Sequence, residues 1–262
     1  MSTPTYLIEQ LGDELHQALQ RRTPIEPLSQ RYPQLSIAEA YAIQQRMISH
    51  RLAAGERLVG KKIGVTSQAV MTMLGVNQPD FGHMLDGMAY GEGAVIEAAS
   101  LLQPKAEGEI AFVLKHDLVG PGITAADVLR ATEGVMPCFE IVDSRIRDWQ
   151  IGIVDTVADN ASCGAFVLGS RLVHPRDLDL ITCGMVLEKN GAVVVTGAGA
   201  ATMNSPVNAV AWLANTLGRL GIALRAGEVI LSGALGAMVP VSRGDNLRVS
   251  IGGLGSCSVR FG

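Results

Sequence analysis

The hydrophobic period of the chain changes near residue 56, and this change limits the folds that it can adopt. Before that point apolar residues such as Leu11 and Leu15 recur every three or four positions, which predicts an amphipathic helix. Ser36 and Glu39 form a capping box that predicts the start of a second helix. Two amphipathic helices cannot form a domain by themselves, so their apolar stripes must cover a larger unit.

Beyond residue 56 the period is two, which is typical of strands. The strands are predicted as short, β-branched runs at 59–65, 110–114, 139–142, 165–168, 229–231, 247–251 and 257–261. Regular helical crossovers between them are missing, which argues against a doubly wound parallel sheet. The sequence therefore predicts an α+β fold, a curved mixed sheet with peripheral helices. A helical section at 1–55 and a β-rich section at 56–262 would form one compact unit.

Local signals add a hairpin and two helices to this outline. Asn190-Gly191 lies between two apolar arms and predicts a two-residue hairpin turn. Thr124 and Asp127 form a second capping box, and Ser205 followed by a proline predicts the start of another helix.

Composition excludes several classes of partner. The net charge is −4 and no cluster of Lys and Arg stands out, which argues against nucleic acid or an anionic membrane surface. No apolar run reaches the roughly 18 residues that a membrane helix needs. The four cysteines are scattered, and acidic residues interrupt the first apolar stretch, so we expect reduced thiols, no signal peptide and a cytoplasmic protein.

Two carboxylates share one face of a predicted strand. In the apolar stretch 104–114, alternation places Glu107 and Glu109 on the same side, roughly 6–7 Å apart. At an effective dielectric of about 20 their repulsion is about 3 kcal/mol. A shared proton, an arginine partner or a divalent cation could each compensate for it.

A third glutamate lies in another apolar strand. Glu140 is followed by the sequence Ile-Val-Asp-Ser-Arg, which ends at Arg145. Three carboxylates without softer ligands favour a hard cation, Mg²⁺ or Mn²⁺. Spacing alone leaves open the alternative that Arg145 neutralises a structural acid.

These segments resemble the fumarylacetoacetate hydrolase superfamily. Within it the match is to the branch of 2-keto-4-pentenoate hydratases and 4-oxalocrotonate decarboxylases. The matching segments run through nearly the whole chain in order, at 59–67, 77–82, 107–109, 140–145, 157–162, 197–200 and 227–233. The resemblance implies a curved mixed β-sheet roll with a helical N-terminal section (fumarylacetoacetate hydrolase C-terminal-like) and a homo-oligomer. It also implies a role in the meta-cleavage catabolism of aromatic compounds, with an aldolase or decarboxylase as a possible pathway partner.

The resemblance assigns roles to the acids and to one lysine. Glu107, Glu109 and Glu140 would hold Mg²⁺ or Mn²⁺, and Lys62 and Asp80 would be catalytic. Burial and a nearby metal are expected to lower the pKa of Lys62 and so permit proton exchange. The competing interpretations are a solvated strand lysine for Lys62 and a turn-forming aspartate for Asp80.

Substrate contacts are expected from three further residues. Asn160 and Ser162 could hydrogen-bond the substrate carboxylate, and the backbone N–H of Ile110 could contribute.

The activity that the resemblance implies is hydration of a small 2-hydroxydienoate, 2-hydroxypenta-2,4-dienoate, to 4-hydroxy-2-oxopentanoate. Hydrolytic members of the superfamily carry a histidine–glutamate pair after the strand that ends here at Gly64, whereas residues 65–70 contain no histidine. The alternatives are a 4-oxalocrotonate decarboxylase on the same fold and a non-catalytic partner of a sister enzyme. The segments Arg147-Asp148-Trp149 and Cys163-Gly164 favour the hydratases.

Overall fold

Seven α-helices and thirteen strands form the part of the chain that this computed structural model describes, residues 3–262. The helices are α1 (Thr5–Arg21), α2 (Leu28–Arg31), α3 (Ile37–Ala53), α4 (Gln68–Leu74), α5 (Ala125–Ala131), α6 (Ile153–Ala158) and α7 (Pro206–Gly218). The strands are β1 (Leu58–Gly64), β2 (Asp80–Leu85), β3 (Ala89–Gly91), β4 (Val95–Ile96), β5 (Lys105–Leu114), β6 (Thr132–Val142), β7 (Cys163–Leu168), β8 (Gly184–Lys189), β9 (Ala192–Ala198), β10 (Val229–Leu231), β11 (Val239–Pro240), β12 (Asn246–Ile251) and β13 (Gly255–Phe261).

The strands form two mixed sheets. The larger has the order β2-β1-β10-β5-β6-β7-β3, with β11 also paired to β5, and the smaller has the order β4-β13-β12-β8-β9. The pairs β1–β10, β3–β7 and β4–β13 are parallel and the others are antiparallel. The predicted α+β class with a mixed sheet is confirmed.

Strand β5 shows how alternation separates the core from the site. Its even-numbered residues Ala106, Ile110 and Phe112 are fully buried in the main apolar core, which the smaller sheet and α7 share. A Cβ added at Gly108 would lie only 2.8 Å from Val249 of β12, so the two sheets are in close contact there. The odd-numbered residues face the other way, where Glu107 lies.

The N-terminal helices lie within the section 1–55 that the period predicted. Leu11 of α1 and Ile43 of α3 pack in one apolar cluster with Val157 of α6. The side-chain amide of Gln44 in α3 donates to the carbonyls of Phe81 in β2 and Val157. The helical section is therefore fastened to the strand and helix that lead into the site.

The local signals are confirmed. Both capping boxes are present, at Ser36 before α3 and at Thr124 before α5, and Asn190-Gly191 turns the β8–β9 hairpin with positive φ at both residues. Ser205 is the N-cap residue of α7, as predicted, although its side chain makes no capping hydrogen bond. None of the helices in residues 3–262 is both long and apolar enough to cross a membrane.

A buried ion pair joins the two loops beside β6 and β7. The guanidinium of Arg145 contacts the carboxylate of Asp159, and it also donates to the carbonyls of Asp143 and Cys163. Both charged side chains are almost completely buried. Between Asp159 and Cys163, three consecutive residues have positive φ, so the pair holds a backbone that ordinary residues rarely adopt.

Removing one partner of this pair should destabilise the fold strongly. Arg145→Met leaves the buried carboxylate of Asp159 without its cation, which costs about 3–5 kcal/mol of unfolding free energy. Arg147→Met is the matched control, because Arg147 pairs with Glu26 where both side chains are about half exposed, and about 1 kcal/mol or less is expected. Urea unfolding measures both, and equal losses would contradict this role for Arg145.

Candidate metal centre and active site

The sheet register brings three glutamates together on one face. Glu107 of β5 lies directly opposite Glu140 of β6, and Glu109 follows two residues along β5. One carboxylate oxygen from each of the three lies within 4.8 Å of the others. They come from strands about thirty residues apart in sequence, and hydrogen bonding between adjacent strands fixes their spacing.

These carboxylates have too few donors for their burial. Glu109 and Glu140 are fully buried, and Glu107 is only partly exposed. Glu109 Oε2 accepts a 2.8 Å bond from the Gly233 N–H, whereas Oε1 has no donor among the described residues. Glu140 Oε1 lies 3.0 Å from Lys62 Nζ, which is close enough for an ion pair but not aligned as a hydrogen bond. Buried oxygens without donors are what a hard divalent cation would use.

The electrostatics of the chain alone raise the pKa values of all three glutamates. Burial and the neighbouring Glu140 raise the pKa of Glu107 to about 7. Burial, Glu140 and Glu107 hold the pKa of Glu109 well above its usual range. Burial also raises the pKa of Glu140, although Lys62 opposes that rise. Arg145 does not relieve the glutamates, because it is paired with Asp159, so the arginine alternative for the triad is wrong.

Lys62 and Asp80 meet beside the glutamates. Lys62 is 3% exposed, and Asp80, at 1%, is the first residue of β2, so neither a solvated lysine nor a turn aspartate describes them. Asp80 is paired in register with Gly64. A Cβ at Gly64 would lie 2.3 Å from Asp80 Oδ1 and 3.3 Å from Lys62 Nζ. The two charged groups therefore share the space over Gly64 that a glycine leaves free.

Lys61, the neighbour of Lys62 in β1, lies on the other face of the strand, because successive side chains alternate. Its ammonium donates to both oxygens of Glu228, at 2.9 and 3.1 Å. Lys61 is thus occupied in a buried structural ion pair, and Lys62 alone of the two neighbours faces the glutamates.

The pKa of Lys62 moves in the direction opposite to the one predicted. Burial lowers it, but the carboxylates of Glu140 and Asp80 outweigh burial and hold the pKa above its ordinary value. The prediction of a lowered pKa is wrong for the chain by itself, because the sequence did not show how many acids surround the ammonium.

The predicted substrate contacts lie close to β2 and β5. The Asn160 amide accepts from the His83 N–H (2.7 Å) and donates to the His83 carbonyl (2.8 Å), so it fastens a loop to β2. The buried Ser162 hydroxyl lies 3.5 Å from that of Thr156. The Ile110 carbonyl accepts from the N–H of Ser232. Substrate binding by Asn160, Ser162 and Ile110 stays a prediction.

Sequence reasoning missed two glycines that shape the site. Gly64 makes room for Asp80 and Lys62, and Gly233 both donates to Glu109 and has a φ of +102°. A Cβ at Gly233 would lie 2.4 Å from the hydroxyl of Thr66. Their positions at the end of β1 and two residues beyond β10 were the available signal, since glycine is favoured where backbone or polar groups approach closely.

The chain is similar to proteins of known activity over nearly its whole length. The family described as "Fumarylacetoacetate (FAA) hydrolase C-terminal" matches residues 76–261. A 2-hydroxypent-2,4-dienoate hydratase from Pseudomonas putida is 63% identical over 218 residues, which cover 83% of this chain and 98% of that protein. A 2-hydroxyhexa-2,4-dienoate hydratase from Comamonas testosteroni is 54% identical over 97% of each chain.

Among solved structures, a 4-oxalocrotonate decarboxylase from Pseudomonas putida G7, complexed with magnesium and adipate, has the same fold. It superimposes with a TM-score of 0.96, at 38% identity and over 99% of both chains.

The raised pKa of Glu107 makes stability depend on pH. The folded chain holds this proton more tightly than the unfolded chain does, so the stabilisation is complete below about pH 4.5 and is lost as the pH rises towards 7. In a chelator, the unfolding free energy of the wild type should therefore fall relative to that of Glu107→Gln between about pH 5 and 8. The fall is at most about 3 kcal/mol, since one pKa unit is worth about 1.4 kcal/mol.

Urea unfolding at several pH values measures this difference. Comparing the unfolding free energy of the wild type with that of the variant cancels the contributions of other titrating groups. One of these is His83, whose pKa burial lowers to about 4. Glu133→Gln, an exposed residue on β6, is the control and should follow the wild type. A pH-independent difference between wild type and Glu107→Gln would show that Glu107 is not held in a protonating environment.

Proposed function

The chain belongs to the fumarylacetoacetate hydrolase family, and from this premise we propose that it is a metal-dependent 2-keto-4-pentenoate hydratase, a hydro-lyase. It adds water to 2-hydroxypenta-2,4-dienoate and releases 4-hydroxy-2-oxopentanoate. The observation that carries this proposal is the cluster of three glutamates, two of which are fully buried with oxygens that lack donors, beside Lys62 and Asp80. The hydratase names of relatives at 54% and 63% identity support the choice of reaction.

Glu107, Glu109 and Glu140 would hold the divalent cation. All their potential ligand atoms are oxygens, which suits Mg²⁺ or Mn²⁺, and their unsatisfied burial is the fit that such an ion requires. When bound, the ion supplies Lewis-acid stabilisation of negative charge on the oxygens of an α-keto acid. The structure of the decarboxylase, which is complexed with magnesium, supports the choice of a divalent cation.

Lys62 and Asp80 would move the protons. In the overall reaction the substrate's 2-hydroxyl loses a proton, C5 gains one, and water adds its oxygen to C4 and a proton to C3. Lys62 holds a proton at Nζ beside Glu140, and burial raises the pKa of Asp80, so both buried groups can take part in proton transfer. Gly64 keeps the two groups adjacent.

A second candidate reaction is decarboxylation of 4-oxalocrotonate. The TM-score of 0.96 to the decarboxylase supports this reaction, whereas the higher sequence identity to the hydratases supports hydration. A non-catalytic partner is disfavoured, because a scaffold gains nothing from mutually repelling carboxylates in its interior. The proposal includes a cytoplasmic homo-oligomer that acts on a small molecule in the catabolism of aromatic meta-cleavage products, with an aldolase or decarboxylase as a possible pathway partner.

Loss of one glutamate should remove metal-dependent turnover. Glu109→Gln keeps the size of the side chain but removes a charged ligand, so we expect kcat to fall at least about a hundredfold and the affinity for Mn²⁺ to weaken by a similar factor. Steady-state kinetics and calorimetric Mn²⁺ titration measure the two effects. Glu133→Gln should match the wild type, and a Glu109→Gln enzyme with full activity would remove Glu109 from the ligand set.

The two reactions can be separated with one purified protein. Given Mg²⁺ or Mn²⁺ and 2-hydroxypenta-2,4-dienoate, we expect the dienol absorbance to disappear as 4-hydroxy-2-oxopentanoate forms, and a chelator to stop the reaction. Release of CO₂ from 4-oxalocrotonate without hydration would instead establish the decarboxylase, and neither reaction would favour the scaffold.

A further inference from the structure

The row of side chains on the site face of β5 continues beyond the glutamates to Lys105. Lys105, Glu107 and Glu109 alternate along one strand whose pairing with β6 is regular over this stretch, so they point the same way at steps of roughly 6–7 Å. Exposure rises along the row, from the fully buried Glu109 to the partly exposed Glu107 and Lys105. The site therefore opens towards solvent at the Lys105 end.

The ammonium of Lys105 is seated on an aromatic ring. Its Nζ lies 4.2 Å from the centre of the Trp149 ring, within the range of a cation–π contact. In residues 3–262 no carboxylate lies within ion-pair distance of it. Its register neighbours are Val142 on β6 and Pro240 on β11, neither of which carries a charge. The Trp149 ring therefore positions the ammonium of Lys105, and no carboxylate in the described residues pairs with it.

Gln103 fixes the ring in place. The indole N–H of Trp149 donates to the Gln103 carbonyl (3.0 Å), and the Asp148 N–H donates to Gln103 Oε1 (2.7 Å). The Gln103 amide in turn donates to the carbonyls of Ser144 and Ile146. Residues 103–105 are thereby tied to the loop that carries Trp149.

The backbone of that loop is held in an uncommon conformation. Asp148 and Trp149 have φ values of 53° and 56°, and consecutive left-handed residues other than glycine are unfavourable unless their surroundings hold them. The bonds to Gln103 supply that restraint. Such conformations cluster at functional sites, and here the result is a ring placed under Lys105.

The negative charge of the site indicates what the ammonium of Lys105 can do. When ionised around a bound cation, the three glutamates and Asp80 would carry four negative charges against the single positive charge of Lys62. A divalent cation would still leave one net negative charge, so an anionic substrate would be repelled on approach. A fixed cation at the open end offsets that repulsion where screening by bulk water is incomplete.

We propose that Lys105, seated on Trp149, receives the small carboxylate substrate at the mouth of the site and sets the affinity for it. Trp149 is a positioning residue that acts through Lys105. This inference rests on the proposed function, since it takes the ligands to be 2-hydroxydienoate and 2-keto acid anions.

The test compares lysine variants at two places on the chain. Lys105→Met keeps the apolar stem but removes the charge, and we expect KM to rise about 3- to 10-fold, with the change mainly in KM rather than kcat. Lys105→Arg should restore most of the affinity, because arginine also stacks on aromatic faces. Lys115→Met is the matched control, an exposed lysine on another part of the surface.

Ionic strength separates an electrostatic role from a packing role. The kcat/KM of the wild type should fall as salt is raised, and that of Lys105→Met should fall less steeply. Trp149→Phe retains a ring face but loses the bond to Gln103, so its KM should lie between those of the wild type and Lys105→Met, whereas Trp149→Leu should behave like Lys105→Met. An unchanged KM and salt dependence in Lys105→Met would overturn the inference.

A binding measurement distinguishes failure of this inference from failure of the proposed function. Calorimetry of 2-oxopentanoate with the Mn²⁺-loaded protein needs no turnover. Weaker, less salt-dependent binding to Lys105→Met supports the role of Lys105 even if the dienoate is not hydrated. Equal binding to wild type and variant overturns that role even if hydration proceeds, and no binding to the wild type overturns both proposals.

Discussion

The repulsion among three carboxylates on one sheet face is the constraint that the rest of the site must offset. Glu107, Glu109 and Glu140 converge within 4.8 Å in surroundings that water does not screen. The chain relieves only part of the cost, through the ammonium of Lys62 and the N–H of Gly233. Burial and the remaining repulsion raise the pKa values of Glu107 and Glu109 in the absence of a cation. The proposed divalent cation would neutralise this charge arrangement.

The surrounding structure serves to hold that arrangement rigid. The β5–β6 register sets the spacing of the glutamates, and the glycine at position 64 lets Lys62 and Asp80 approach each other. The Arg145–Asp159 pair is buried beside the same strands and holds the left-handed turn between β6 and β7. Stability and function are thus coupled, because the same loops that close the sheet also place the polar groups around its charged face.

Much of this could be predicted from local sequence. Alternation placed Glu107 and Glu109 on one face, and the change of hydrophobic period identified the helical and β-rich sections. Local sequence did not predict the properties that depend on several strands at once. The pKa of Lys62 depends on Glu140 and Asp80, which belong to two other strands, so neither its direction nor its cause could be deduced from the neighbours of Lys62 in sequence. The amide of Asn160 likewise binds a strand that lies far away in sequence.

The sequence by itself determined the α+β class, the faces of the strands and the set of acids, because these follow from side-chain periodicity and chemical type along a single segment. Only the tertiary structure decided which acids converge, that Arg145 serves Asp159, and that Lys105 sits on Trp149 at the open end of the row. The physical reason is that electrostatic energies depend on distance and burial between segments remote in sequence. Those distances are set by strand register and loop conformation, which no local pattern specifies.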